Sequence, residues 1–113
     1  MDINEETSKK IQELQILEQH LQSFQMEKQA LQSEKQEISN AILELQKTKD
    51  EVYKVLSGIM IKSDSGVLQK DLEDREKILN LRISAIEKQE KMVESKTKTL
   101  REEINSSMQR GKS

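Results

Sequence analysis

The sequence predicts a mainly α protein: a long antiparallel two-helix coiled coil joined by a β-hairpin that assembles, with other copies, into an oligomeric β-barrel body. Three observations predict it. Large apolar residues recur at heptad spacing in two long stretches. A short segment rich in β-branched residues interrupts them. The 113 residues include no Pro, no Trp, one Phe and one Tyr, so the bulky side chains that fill a globular core are missing. High charge (35%) and low aromaticity also suit disorder, but the 33% of hydrophobic residues stand at regular intervals, which a disordered chain has no reason to keep.

The first stretch runs through Leu14, Leu17, Leu21, Phe24, Lys28, Leu31, Lys35, Ile38, Ile42 and Leu45 in alternating steps of three and four. Leu14, Leu21, Lys28, Lys35 and Ile42 take the a positions, and Leu17, Phe24, Leu31, Ile38 and Leu45 the d positions. A helix over residues 7–49, capped by Thr7 or Ser8, is expected to be about 65 Å long. The second stretch carries Leu72, Leu79, Ile86, Val93 and Leu100 at intervals of seven, beside the row Glu76, Ile83, Glu90, Thr97 and Ile104. Ser63, Asp64 and Ser65 offer capping oxygens for a helix over residues 66–109. A single continuous helix would have to cross Ser63-Asp64-Ser65-Gly66, which is unfavourable. Folding back buries both seams at once.

The segment between the seams, residues 52–62, reads as a hairpin turning at Ser57-Gly58. If Leu56 pairs with Ile59 and Lys54 with Ile61, one face carries Leu56, Ile59 and Ile61, and the other Tyr53, Val55 and Met60. A lone two-stranded hairpin is marginal in water, and the rest of the chain cannot cover two apolar faces. Val52, Tyr53, Val55, Leu56, Ile59, Met60 and Ile61 are therefore expected to form an oligomer interface, and closing several hairpins into a barrel also removes exposed strand edges.

Two seams of similar length around Val52-Tyr53-Lys54, a turn, and the strand Ile59-Met60-Ile61 closing on Lys62, all in a chain without cysteine, resemble the β-type subunit of prefoldin over nearly the whole length. In that family the turn glycine usually follows the Val-Tyr-Lys strand after two residues. Here Ser57 holds that place and Gly58 comes next. The resemblance implies one subunit spanning residues 1–113 in a hexamer of two α-type and four β-type subunits, with a barrel body and six hanging coiled coils. It further implies that non-native proteins are held at the coiled-coil tips without ATP and passed to a group II chaperonin. One hairpin between the helices, rather than two, marks the β type.

The residues themselves suggest where clients would bind. Ile3, Ile11, Leu14, Ile16 and Leu17 face a stretch whose large apolar residues are Leu100, Ile104 and Met108, so the final turns are expected to fray and expose them. Ile16, Met26 and Met92 fall outside the seam, where flexible side chains suit varied unfolded partners, although scattered surface hydrophobes are also ordinary. Ile78 and Leu81, also outside it, are expected to pack against the barrel or a neighbouring subunit. Lys28 and Lys35 share the seam with Glu76 and Glu90; with the hairpin centred near Ser57, Lys28 and Glu90 fall one layer apart and within reach of each other.

Other functions have little to stand on. His20 is the sole histidine and sits at a solvated g position; the carboxylates alternate with lysines along the helices instead of converging. Gly111-Lys112-Ser113 echoes the end of a phosphate loop without its strand or helix. No cofactor, metal or catalytic residue is expected. The 19 basic and 21 acidic residues are intermixed, which leaves no stripe for nucleic acid, and residues 1–10 hold just Lys9 and Lys10 as basic side chains, unlike a basic-zipper regulator. No apolar run approaches the roughly 20 residues that span a bilayer, and the acidic start is unlike a secretory leader. With zero cysteines, a cytoplasmic setting is expected, and the Asn105-Ser106-Ser107 sequon is a chance match. The competing reading is a structural coiled-coil adaptor, which has no need of a doubly apolar hairpin.

Overall fold

The computed structural model describes residues 4–48 and 51–110. Two long helices, α1 (Glu5–Lys47) and α2 (Ser65–Arg110), are joined by the antiparallel strands β1 (Val52–Leu56) and β2 (Ile59–Ser63). Gln, Glu, Lys and Leu, all good helix formers, fill most of α1 between its seam positions.

The start of α1 lies two residues before the Thr7 boundary read from the sequence. Asn4 is the cap: its Oδ1 accepts the Thr7 N–H at 2.7 Å, and its carbonyl accepts the Ser8 N–H at 3.0 Å. Glu5 and Glu6 then occupy the first turn, where carboxylates complement the helix dipole. Thr7 is thereby free to act as a seam residue; it is buried, and its hydroxyl hydrogen-bonds Ser107 at 2.6 Å. At the head of α2 the cap is Asp64, one of the three residues offered for that role. Its Oδ1 accepts the Val67 N–H at 3.0 Å and its carbonyl the Leu68 N–H at 2.9 Å. A Cβ on Gly66 would stand 3.2 Å from that same Oδ1, so glycine keeps the cap uncrowded.

Contacts group the residues into two compact units, Met1–Lys28 with Ala85–Ser113, and Gln29–Ser84. In the first, Ile86, Leu100 and Ile104 are buried and Leu14, Leu17, Leu21, Phe24 and Val93 half-buried. The two helices run antiparallel there: Thr7 meets Ser107 while Lys28 meets Glu90. Ion pairs flank the seam, Lys10 to Glu103 at 3.4 Å and Arg101 to Glu18 at 2.9 Å. Each is exposed enough to contribute about 1 kcal/mol or less. In the second unit Leu31, Ile38, Leu79 and Ile83 form the core, with Leu79 fully buried. Glu34 Oε1 accepts from Arg75 Nη2 at 2.9 Å and from Nε at 3.1 Å.

Polar groups occupy several seam layers. Lys28 Nζ donates to Glu90 Oε1 at 2.7 Å, the reach expected from their spacing. That hydrogen bond, ahead of the opposing effect of burial and the field of the nearby glutamates, raises the Lys28 ammonium above its ordinary value of 10.5. Because the folded value is raised, the pair's contribution is fully present below the unfolded value and disappears as pH climbs through the folded one. Glu76, in contrast, accepts the Ser39 hydroxyl at 3.0 Å, not a lysine.

Leu79 anchors the second unit, so Leu79→Ala should cost about 2–5 kcal/mol through lost burial and the cavity left behind. The equivalent change at exposed Leu43 should stay within about 0.5 kcal/mol. Urea denaturation of the isolated chain, followed by helical circular dichroism, measures both.

Candidate functional site

The hairpin is built around its turn. Strand register pairs Leu56 with Ile59, Val55 with Met60, Lys54 with Ile61, Tyr53 with Lys62 and Val52 with Ser63. The two-residue turn puts Ser57 at φ 50° and Gly58 at φ 81°. Positive φ at both central residues is the type I′ pattern, whose twist matches that of the strands it joins. Glycine takes this conformation without cost, and serine accepts it with mild strain.

Paired residues share a face, so Leu56, Ile59, Ile61 and Lys54 lie on one side and Tyr53, Val55, Met60 and Lys62 on the other. These are the faces expected from the sequence. Every large apolar residue on both stands open: Val55 and Met60 are each 67% exposed and Ile59 is 64% exposed. Val52, where the ribbon leaves the helix, is half-buried. Exposed sheet edges and apolar faces of this kind commonly mark interaction surfaces.

Polar groups on one face are tied together. Glu51 accepts the Tyr53 hydroxyl at Oε2, 2.7 Å, and the Lys62 ammonium at Oε1, 3.0 Å. Tyr53 and Lys62 are themselves a cross-strand pair, so one carboxylate at the strand entry satisfies both. The Tyr53 bond first, then that from Lys62, holds the Glu51 carboxyl below its ordinary value. The same bond raises the Tyr53 phenol, since ionising it would remove the donor and place an anion beside Glu51. Residue-by-residue reading of the sequence did not find this cluster; the spacing of Glu51 and Tyr53 along a strand start was its one signal.

The residues expected to meet clients fall into different environments. Ile16 is 53% exposed, and Met26 and Met92 are also open. Ile11, Leu14, Leu17 and Met108 are half-buried, whereas Leu100 and Ile104 are buried in the seam. Ile3 lies outside the described residues. α1 is already helical at Glu5 and α2 remains so to Arg110. His20 is exposed. Among the described residues, no group of three or more His, Asp or Glu is placed to hold a metal ion, and no helix is long and apolar enough to cross a membrane.

A family model described as prefoldin subunit matches residues 8–111. The chain belongs to the prefoldin subunit family. Among its relatives, prefoldin subunit beta of Methanothrix thermoacetophila is 34% identical over 70 residues, covering 60% of this chain and 58% of that protein. The subunit of the same name from Sulfurisphaera tokodaii is 35% identical over 54 residues, covering 48% and 43%. The matched stretch thus spans about half the length of these curated relatives. The crystal structure of the prefoldin beta subunit from Thermococcus strain KS-1 superposes with a TM-score of 0.86 at 27% identity, over 93% of this chain and 94% of that one. The helix, hairpin, helix order of this prefoldin-family chain is therefore shared across almost its whole length with a solved beta subunit.

Tyr53 is the sole tyrosine and there is no tryptophan, so its ionisation reports on the cluster alone. In an alkaline absorbance titration Tyr53 should ionise above the ordinary phenol value of 10.0, and Glu51→Gln should bring it back toward that value. On the acid side, the depressed Glu51 makes the cluster's contribution complete above the unfolded carboxyl value, to be lost as pH falls through the folded one.

Proposed function

We propose that this chain is a β-type subunit of a prefoldin-like chaperone: four copies join two α-type subunits through their hairpins, in the cytoplasm, and the complex holds non-native proteins and hands them to a group II chaperonin. The observation that carries the reading is the hairpin, apolar and exposed on both faces, in a chain whose family is that of prefoldin subunits. Burying one large apolar side chain contributes roughly 1.5–3 kcal/mol, and a ribbon that presents six of them has ample drive to assemble. Residues 1–113 act as one subunit, with the hairpin for assembly and the helix pair for clients.

Client holding in this proposal needs no chemistry. Exposed Ile16, Met26 and Met92 make the first contacts, with Ile11, Leu14, Leu17 and Met108 beside them, and Leu100 and Ile104 joining when the helices separate. Single contacts of this size are weak, so a client leaves readily; several arms acting together supply the holding strength. Release follows transfer to the chaperonin rather than a nucleotide cycle.

The assembly half is tested by changing Val55 and Ile61 to Asp, one on each hairpin face, in a chain co-expressed with an α-type subunit. Helical circular dichroism should persist while sedimentation shows the oligomer gone; a variant sedimenting like the wild type would remove the hairpin from the interface. The holding half is tested by light scattering of an unfolded protein diluted into the complex. Suppression should be equal with and without ATP, and a strict nucleotide requirement sinks the reading.

Ile16→Ser with Met26→Ser should leave the mass of the complex unchanged and weaken that suppression. Undiminished activity would move the client surface away from the helix pair.

A further inference from the structure

The side of α2 turned away from the seam is not uniformly polar. Stepping by three and four from Val67, it carries Asp71, Asp74, Ile78 and Leu81 within the unit Gln29–Ser84. Val67, Ile78 and Leu81 are 59%, 48% and 71% exposed. The continuation of that face in the other unit, Ala85, Lys88, Met92, Ser95 and Thr99, offers one large apolar residue, Met92. Exposed apolar side chains on this face therefore gather in the unit that also holds the hairpin.

The hairpin has an unmet need of its own. Closing several two-faced ribbons into a barrel fills the inside with one face and leaves the other outside. The face with Tyr53, Val55, Met60 and Lys62 has its polar groups gathered onto Glu51, which suits an enclosed interior. The opposite face has Leu56, Ile59 and Ile61 beside Lys54, and Lys54 makes no ion pair among the described residues. Asp71 and Asp74 also make none there.

We propose that the hairpin face bearing Lys54, Leu56, Ile59 and Ile61 in one copy docks on the outer face of α2 in a neighbouring copy, with Lys54 set against Asp71 and Asp74 and the apolar residues against Ile78 and Leu81. The dimensions agree: on this face Lys54 and Leu56 stand two residues, about 7 Å, apart along the strand, and Asp74 and Ile78 four residues, about 6 Å, apart along the helix. The carboxylates lie between the apolar residues of the helix, as Lys54 lies beside those of the ribbon, so charge and apolar surface are matched together. The proposal rests on assembly through the hairpins and says what covers the barrel's outer side.

The chain has no cysteine, so Leu81→Cys and Met92→Cys each introduce its one thiol. Maleimide labelling of the full complex with the α-type subunit, read chain by chain by mass spectrometry, should be slowed about tenfold or more at Leu81→Cys relative to the isolated chain and unchanged at Met92→Cys. Equal reactivity at Leu81→Cys in an intact complex overturns the docking while leaving hairpin assembly standing. Asp71→Lys with Asp74→Lys should loosen the complex in sedimentation at low concentration, and adding Lys54→Glu should restore it. No restoration means that another surface occupies this face, and the proposal fails. A Val55→Asp, Ile61→Asp variant that still assembles overturns the parent reading and this one together.

Discussion

A single apolar seam has to do for this chain what a core does for a globular one. With one Phe, one Tyr and no Trp, burial is distributed over Leu, Ile and Val spaced by three and four along two helices. Each helix presents a narrow apolar stripe, and packing the two stripes together supplies most of the stability of both. The spacing also dictates what cannot be buried. Positions outside the stripe meet solvent or another molecule, and an apolar residue there needs a reason.

The seam tolerates its buried polar layers because their groups find partners. Thr7 with Ser107 and Lys28 with Glu90 place donor against acceptor inside the helix pair, while Thr97, also buried, turns its hydroxyl back to the Glu94 carbonyl at 2.8 Å. A side chain so occupied needs no partner across the interface. Such layers add less stability than leucine would, but they penalise a shifted register, in which a lysine would face leucine without an acceptor. The hairpin works in the opposite way: among the described residues its large apolar groups stand open, and in the proposed assembly that deficit is what drives association.

Much of this was legible in the sequence. The heptad rows of both helices, the turn at Ser57-Gly58 and the pairing of Leu56 with Ile59 all follow from spacing, and the structure has each of them. The α1 cap did not follow, because Asn4, Thr7 and Ser8 are all good capping residues and only geometry shows that Asn4 reaches the Thr7 amide. Thr7 and Ser107 are not legible as seam residues for a related reason: small polar side chains at heptad positions leave no mark in a pattern of apolar ones. Spacing makes Leu100 and Ile104 candidates for exposure by fraying, whereas in the structure α2 is helical to Arg110 and both are buried in the seam. The Glu51 cluster depends on side-chain reach across a strand pair, which spacing alone does not reveal.

The two-residue turn at mid-chain has a kinetic consequence. It brings together strands separated by almost no chain, whereas the helix contacts join residues ever farther apart in sequence: 37 positions for Ser39 and Glu76, 62 for Lys28 and Glu90, and 100 for Thr7 and Ser107. Closing the largest loop first would carry the full entropic penalty of its length, but once an inner contact exists each outer one adds only a short further loop. The chain is thus wired as a zipper that closes from its middle toward its two ends and opens in reverse order.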